Sequence, residues 1–173
     1  SKGYDLYCKS MFKILDQYNE WSAISIGEER RFQNFPTHKR HFNLGQIPHK
    51  KVLDYLIKSE IAVIPSRWEE PFGRTALEAS SRGCATIISN TGGLPETTDY
   101  AIKLKKLNTK NIEKEIINLI KNDKFRKSIQ IRSKKFVKHK LKNNSQKIDL
   151  MRSSLFPFKK ININGNKLRI INI

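Results

Sequence analysis

Two short runs of mostly apolar residues in the middle of the chain constrain its fold more than any other feature. Residues 61–64 read Ile-Ala-Val-Ile and end at Pro65, and residues 84–88 read Cys-Ala-Thr-Ile-Ile after Gly83. Each run is too short for a helix, and an unbroken apolar run is typical of a strand that is buried on both faces of a sheet. A helical pattern at 74–82 lies between them, so this part of the chain predicts two parallel strands joined by a helix.

The rest of the first 140 residues repeats this alternation of helix and strand. The predicted elements are a helix at 5–18, strands at 21–27 and 42–47, a helix from Pro48, a strand at 101–104, and helices at 109–122 and 124–141. This order is typical of an α/β fold in which helices cover both faces of a parallel sheet. Ligands of such sheets bind outside the carboxyl ends of the strands. The loops at 66–73 and 90–96, which follow the two apolar runs, are therefore expected to carry the chemistry.

The loop at 66–73 reads Ser-Arg-Trp-Glu-Glu-Pro-Phe-Gly and leads into a helix that begins at Arg74. The first N–H groups of a helix have no partner within the helix and carry partial positive charge. Gly73 removes side-chain bulk where the backbone turns into the helix. With Arg74 beside it, this helix start predicts an anion site that suits a diphosphate.

Two carboxylates, Glu70 in the loop and Glu78 in the helix, lie eight positions apart. A carboxylate accepts two hydrogen bonds and can hold a vicinal diol, so one glutamate could bind a ribose and the other a sugar. On spacing alone, a surface pair between Glu78 and Arg74 is the simpler interpretation of Glu78. A general acid and base pair, as in a glycoside hydrolase, is a third interpretation. A nucleoside diphosphate, however, leaves without being protonated by a carboxylic acid.

The loop at 90–96 reads Asn-Thr-Gly-Gly-Leu-Pro-Glu. It could offer a second patch of exposed backbone N–H groups at Gly92 and Gly93. The alternative is an ordinary glycine-rich turn.

Positive charge is concentrated in the second part of the chain. Residues 1–100 hold 13 Lys and Arg against 12 Asp and Glu, whereas residues 101–173 hold 21 against 4. The favoured interpretation is a solvated, lysine-rich helical face. An anionic membrane surface comes second as a partner and nucleic acid a distant third. No apolar run is long enough to span a membrane.

The motifs of the two loops, taken in order, resemble the donor site of glycosyltransferase family 4. The matching pieces are Pro65-Ser66, Glu70-Pro71-Phe72-Gly73, Leu77-Glu78-Ala79, Gly83 and Gly92-Gly93-Leu94-Pro95-Glu96, with Lys2-Gly3 near the start. The resemblance extends over roughly residues 1–140. It implies the Rossmann-like, carboxyl-terminal half of a GT-B enzyme, which is retaining, independent of metal ions and without a cofactor. It also implies that the amino-terminal acceptor domain and the first strand of the donor domain are missing from residues 1–173.

The resemblance also assigns roles to individual residues. Glu70 matches the catalytic-site glutamate that contacts the donor sugar, and Glu78 matches the glutamate on the ribose hydroxyls. Lys2 matches a lysine that contacts the diphosphate. The other positions that match the donor and nucleotide site are Gly45, Gln46, Phe72, Gly73, Arg74, Thr75, Gly92 and Gly93.

The sequence thus predicts a nucleotide-diphosphate-sugar-binding domain. In its full-length protein it would transfer the sugar, with retention, to a glycan or lipid-linked acceptor in cell-surface polysaccharide synthesis. We expect it in the cytoplasm, peripheral to the inner membrane, and inactive without an acceptor domain. The alternatives are a related GT-B epimerase or phosphorylase, or a basic protein that binds nucleic acid or membranes.

The predicted domain boundaries follow from the same pattern. Residues 1–142 form the donor-binding domain and residues 143–160 a linker. Residues 161–173, which end in the strand-like Leu168-Arg169-Ile170-Ile171, begin a further domain or form a disordered tail.

Overall fold

The computed structural model describes residues 2–27 and 37–155, in which short strands and helices alternate. In chain order the elements are α1 (Tyr4–Gln17), β1 (Ala23–Ser25), β2 (His41–Asn43), α2 (His49–Lys58), β3 (Ile61–Ile64), α3 (Arg74–Arg82), β4 (Ala85–Ser89), α4 (Leu94–Thr97), β5 (Ile102–Leu104), α5 (Thr109–Lys121) and α6 (Asp123–Leu155). Contacts divide the chain into two compact units, Ser1–His139 and Lys140–Ile173.

Every strand pairing in the described part of the chain is parallel, as predicted. β1 pairs with β2, with Ile24 opposite Phe42. The other sheet has the order β3-β4-β5, with Val63 opposite Ile87 and Ile87 opposite Ile102. Parallel strands cannot be joined by a tight hairpin, and α3 connects β3 to β4 while α4 lies between β4 and β5. The prediction of an α/β fold with parallel strands is therefore confirmed, although the described strands form two sheets and not the single sheet that was predicted.

The main hydrophobic core lies between the strands and the helices α1 and α5. Its fully buried members include Ile14, Leu15, Ile87, Ile112 and Leu119. Burying a side chain of this size stabilises a fold by about 1.5–3 kcal/mol. A second cluster lies under α3, where small residues let the helix approach the sheet, and consists of Ala76, Ile88, Leu94 and Ala101.

Two strands differ from the sequence prediction. β2 ends at Asn43 rather than near residue 47, because Gly45 takes a left-handed backbone conformation with φ of 61° that leaves the sheet. β3 lies where it was predicted, but its four apolar residues are only half-buried, unlike the five fully buried residues of β4.

The last helix, α6, differs most from the sequence prediction. α6 runs to Leu155 and not to about residue 141, because neither Gly nor Pro interrupts residues 123–155 and the first Pro is at 157. Residues 143–155 of the predicted linker are therefore helical, while residues 156–160 and the predicted segment 161–173 lie outside the described residues. None of the described helices is both long enough and apolar enough to cross a membrane.

Candidate functional site

The loops that follow β3 and β4 pack directly on each other at the carboxyl end of the sheet. The Gly93 N–H donates a 2.6 Å hydrogen bond to the Glu70 carbonyl, and the Thr91 hydroxyl lies 3.4 Å from the Ser66 carbonyl. A Cβ at Gly92 would lie 2.6 Å from the same Glu70 carbonyl, and one at Gly93 would lie 2.4 Å from the Pro71 carbonyl. The two glycines thus let the loops touch. Of the two interpretations of this loop, the glycine-rich turn fits Gly93, because its N–H already donates to the Glu70 carbonyl.

Helix α3 starts without a side-chain cap beside these loops. Its N-cap residue is Gly73, which has φ of 65° and whose carbonyl accepts from the N–H groups of Ala76 and Leu77. The N–H groups of Arg74 and Thr75 come before the first intrahelical hydrogen bonds, so they remain available to an anion. This helix start matches the prediction. Phe72, in contrast, places its ring outward and is 60% exposed.

Lys2 reaches the site because Gly3 packs against the end of β3. Gly3 has φ of 73°, and a Cβ there would overlap the Pro65 carbonyl. This close approach sets the start of α1 beside the loop, where the Lys2 ammonium forms an ion pair with Glu70. The buried Ser66 hydroxyl donates to the same carboxylate oxygen at 3.2 Å. Glu70 therefore has two partners that hold its carboxylate in place.

Asp5 and Arg67 fasten α1 to the same loop. Two parallel hydrogen bonds join their planar groups, from Arg67 Nη1 to Asp5 Oδ1 at 2.6 Å and from Nη2 to Oδ2 at 2.7 Å. This bidentate geometry is the strong form of an ion pair. The Arg67 guanidinium lowers the pKa of the Asp5 carboxyl below its usual value. The pair holds the position of the loop relative to Lys2.

Glu78 lies on α3 and has partners from two directions. Its Oε1 atom is 3.0 Å from His49 Nε2, at the start of α2, and 3.6 Å from Arg74 Nε, one turn earlier in α3. The pair with Arg74 that the spacing favoured is therefore present. His49 is an additional partner, and because the Glu78 side chain is 21% exposed, its carboxylate can still be reached by a ligand.

The far wall of the site is the turn after β2. The Asn43 side-chain oxygen accepts hydrogen bonds from the Ser25 hydroxyl and the Gly45 N–H, both at 3.2 Å. The Gly27 N–H donates to the Gly45 carbonyl at 2.8 Å. This network ties the ends of β1 and β2 together and places Gly45 and Gln46 at the rim of a cavity.

That cavity, of about 970 Å³, brings most of the predicted site residues together. Those that line it are Lys2, Gly45, Gln46, Glu70, Arg74, Thr75 and Glu78. Phe72, Gly73, Gly92 and Gly93 do not line it. Glu70 and Glu78 therefore line the same cavity, and the uncapped start of α3 lies between them in the sequence.

Ser66 and His49, which contact the two carboxylates and also line the cavity, were not among the predicted site residues. Ser66 belongs to the Pro-Ser pair that follows β3, so its position after a buried strand was a usable signal. His49 gave no local signal, because it lies 29 positions from Glu78 and meets it only through the packing of α2 on α3. In the described residues, no group of three or more His, Cys, Asp or Glu side chains could hold a metal ion.

Known proteins resemble this chain in sequence. The model of the family described as glycosyl transferases group 1 matches residues 1–136. Among curated proteins, the lipopolysaccharide core biosynthesis mannosyltransferase LpcC of Rhizobium leguminosarum bv. viciae is 31% identical over 107 residues, which are 55% of this chain and 30% of that enzyme. The chain spans less than a third of the length of the curated relatives it matches.

Solved structures show the same fold. The C-terminal domain of the group 1 glycosyl transferase LpcC from Francisella tularensis superimposes with a TM-score of 0.72 at 24% identity, over 81% of this chain and 80% of that domain. HepE from Anabaena, solved in complex with UDP-glucose, superimposes with a TM-score of 0.73 at 16% identity, over 88% of this chain and 45% of its own.

Proposed function

Because this chain belongs to the family of group 1 glycosyl transferases, we propose that it binds a nucleoside diphosphate sugar and serves as the donor-binding part of a sugar-transferring enzyme. One observation carries the proposal: Glu70, Glu78, Arg74 and Thr75 line the same cavity beside an uncapped helix start. A helix start binds the diphosphate, and the two carboxylates bind hydroxyl groups on either side of it.

The diphosphate would lie against the first turn of α3. The N–H groups of Arg74 and Thr75 precede the first intrahelical hydrogen bonds, and the Arg74 side chain is 81% exposed and able to move toward a ligand. Lys2 lines the same cavity, and a bound diphosphate would draw its ammonium away from Glu70. These positive groups would stabilise the negative charge that develops on the diphosphate as the glycosyl bond breaks.

The two carboxylates would have different roles. Glu70, which Ser66 holds by a hydrogen bond, would orient the hydroxyl groups of the donor sugar beside the breaking bond. Glu78 would accept hydrogen bonds from the two ribose hydroxyls, and His49 would fix the position of its carboxylate. Neither role needs a metal ion or a cofactor.

The proposals for the stereochemistry, the acceptor and the donor base come from the relatives and from the loop motifs. The motifs from Pro65 to Glu96 resemble those of family 4, whose members transfer with retention. A relative named for lipopolysaccharide core biosynthesis supports an acceptor that is a glycan or a lipid-linked sugar. A fold shared with a protein solved with UDP-glucose supports a uridine nucleotide as the first donor to test. We place the protein in the cytoplasm, peripheral to the inner membrane, and expect residues 1–173 alone to transfer little sugar.

The test is calorimetric titration of the chain with UDP, GDP and ADP. We expect one of the three to bind with a Kd of about 10–1000 μM, and Glu78→Gln to weaken it about tenfold or more, because a buried diol contact to a charged group is worth about 1.5–3 kcal/mol. Glu69→Gln is the matched control, since Glu69 is exposed and does not line the cavity. If none of the three nucleotides bound, or if both variants bound equally well, the proposal would be wrong.

His49 gives a second prediction for the same titration. His49→Gln keeps a hydrogen-bond donor near Glu78, whereas His49→Leu removes it, so we expect nucleotide binding to fall about threefold to tenfold in the leucine variant only. Equal affinity in the two variants would show that His49 does not position Glu78. Product analysis of the full-length protein would separate a transferase from an epimerase or a phosphorylase.

A specific observation also favours an anionic membrane surface as a partner. Within the unit that begins at Lys140, the end of α6 exposes Leu141, Ile148 and Met151, which are 50%, 51% and 65% exposed. At helical spacing these three residues form one apolar stripe, with Lys142 and Lys147 on either side of it. A stripe of this kind, flanked by lysines, is typical of a helix that lies on an anionic lipid surface.

A further inference from the structure

Each carboxylate of the candidate site is paired with a cation that lines the same cavity. The Lys2 ammonium forms an ion pair with Glu70, and Arg74 Nε lies 3.6 Å from Glu78 Oε1. These residues all line the cavity of about 970 Å³. Because a carboxylate in contact with a cation opposes its field, neither cation acts on a phosphate at full strength while it stays paired. A diphosphate must therefore compete with the two glutamates for the positive charge of the site.

A second partner holds each carboxylate from another direction. The buried Ser66 hydroxyl donates to Glu70 Oε1 at 3.2 Å, and His49 Nε2 lies 3.0 Å from Glu78 Oε1. The backbone of Glu70 is held as well, because its carbonyl accepts from the Gly93 N–H at 2.6 Å. Both carboxylates can therefore keep their positions when their cations move away.

Lys2 is the mobile member of its ion pair with Glu70. Its side chain is 68% exposed, whereas that of Glu70 is 20% exposed. Gly3 fixes the adjacent backbone against the Pro65 carbonyl, but the long, flexible stem of a lysine lets its ammonium swing about such an anchor. Lys2 can thus exchange Glu70 for another anion in the cavity without any change in the fold.

We propose that the Lys2–Glu70 ion pair is an autoinhibitory contact, which a diphosphate opens by taking Lys2 as its own partner. A diphosphate carries more negative charge than a carboxylate, so it competes well for the ammonium. Ser66 and Lys2 together occupy both lone pairs of Glu70 Oε1, and the exchange leaves one of them to a sugar hydroxyl. A free sugar does not open the contact, so the site selects sugars that carry a diphosphate.

The contact matters only where a diphosphate binds this cavity, so the inference rests on the proposed function. If Glu70 only oriented a sugar, it would not affect a diphosphate that carries none. As a partner of Lys2, however, Glu70 weakens the binding of such a ligand, which has to break the ion pair and has no hydroxyl group for the freed carboxylate. Removing the carboxylate should therefore tighten the binding, although Glu70 belongs to the site.

The experiment is calorimetric titration with inorganic pyrophosphate at low ionic strength, where ion pairs are screened least. It compares the unmodified chain, Glu70→Gln, Lys2→Met and the double variant. Glutamine keeps the shape of the side chain and an oxygen that can accept from Ser66. We expect Glu70→Gln to tighten pyrophosphate binding about twofold to fivefold, which is the range for an exposed ion pair. When Lys2→Met is also present, the same substitution should have no effect, because no ammonium is left to release.

Glu69→Gln is the matched control. It removes the same charge from the same loop, but Glu69 is exposed and does not line the cavity, so this variant should bind pyrophosphate as the unmodified chain does. Tightening by Glu70→Gln alone, and only in the presence of Lys2, would support the contact.

Three results would overturn the inference. Weaker binding by Glu70→Gln would mean that Glu70 positions Lys2 for the phosphates and does not withhold it. Equal tightening with and without Lys2→Met, or equal tightening by Glu69→Gln, would mean that carboxylates only repel the ligand. The third result is that pyrophosphate binds to none of the variants.

The nucleotide titration described above separates this inference from the proposed function. If a nucleotide binds and depends on Glu78, but Glu70→Gln leaves pyrophosphate binding unchanged, the autoinhibitory contact alone is rejected. If no nucleotide binds, the donor site is rejected and the contact with it.

Discussion

At the scale of single residues, Gly73 shows how backbone geometry and packing act together at the start of α3. Its φ of 65° is left-handed, and a Cβ there would lie 2.8 Å from Leu94 Cδ2 and 3.2 Å from the Leu94 Cα. Leu94 is fully buried and cannot move aside easily. The glycine therefore satisfies two requirements, a turn into the helix and contact with α4.

We expect Gly73→Ala to lower the free energy of unfolding by about 2–4 kcal/mol, because left-handed strain and a clash in a packed region add together. Gly45→Ala is the matched control, because Gly45 also has a left-handed φ of 61° but no atom lies within 4 Å of an added Cβ. We expect this variant to lose only about 1 kcal/mol of unfolding free energy, from backbone strain alone. Urea unfolding of the two variants measures the difference. Equal losses in both variants would mean that the Leu94 contact is not tight.

The residues of the candidate site differ in how far local sequence could identify them. The place of Glu70 could be predicted, because a strand–loop–helix unit fixes where its loop lies, whereas Gly73, Gly92 and Gly93 do not line the cavity. The pairing of Lys2 with Glu70 spans 68 positions, and that of His49 with Glu78 spans 29. Such contacts depend on how helices pack, which short-range spacing does not encode. For the same reason, local sequence could not show that the Gly93 N–H would be used by the Glu70 carbonyl.

At the scale of elements, the loop after β3 is held to α1 by the Asp5–Arg67 pair, and this contact makes stability depend on pH. Arg67 lowers the pKa of Asp5 in the folded state below the ordinary value of 3.8. The unfolded chain therefore binds a proton at a higher pH than the folded chain does. The stabilisation is complete above the ordinary pKa, and it is lost as the pH falls through the lower folded value.

We expect Asp5→Asn to reduce the free energy of unfolding by about 1 kcal/mol at neutral pH, a modest value because Arg67 is 41% exposed and partly screened. The difference from the unmodified chain should shrink below about pH 4 and vanish once Asp5 is protonated. Thermal unfolding across this pH range, with Asp54→Asn as the control at an exposed carboxylate on α2, makes the measurement. A difference that stays constant with pH would exclude an ionic contribution from this pair.

The elements themselves followed the sequence closely where a residue type forced the outcome. Pro65 ends β3 and Gly83 ends α3 at the predicted positions, and the burial of β4 followed from its mostly apolar sequence. The exposure of β3 could not be predicted, because it depends on which strand lies beside it and not on its own composition. The length of α6 was underestimated because lysine- and asparagine-rich sequence resembles a linker, although no helix-breaking residue occurs before Pro157.

At the scale of the whole molecule, charge is divided unevenly between the donor site and the carboxyl-terminal residues. Residues 1–100, which supply every candidate site residue, are nearly neutral, whereas residues 101–173 carry an excess of 17 positive charges. If the positive charge served only to attract the diphosphate, it would not need to lie outside the residues of the donor site. This separation is the arrangement expected where the positive segment binds a different, larger anion, such as a membrane surface.

The last prediction tests that partner. We expect the chain to co-sediment with vesicles that contain about 30% phosphatidylserine, and to be released as salt rises to about 0.5 M, because lysine–lipid attraction is screened within a Debye length. Replacing Ile148 by Glu should strongly weaken the binding, since the apolar stripe and the lysines act together. Ile131→Glu is the control: Ile131 is 68% exposed on the same helix but lies outside the stripe, so this variant should still bind. Equal loss of binding in the two variants would mean that net charge, and not the apolar stripe, determines vesicle binding. Tighter binding to a single-stranded oligonucleotide than to the vesicles would favour nucleic acid as the partner instead.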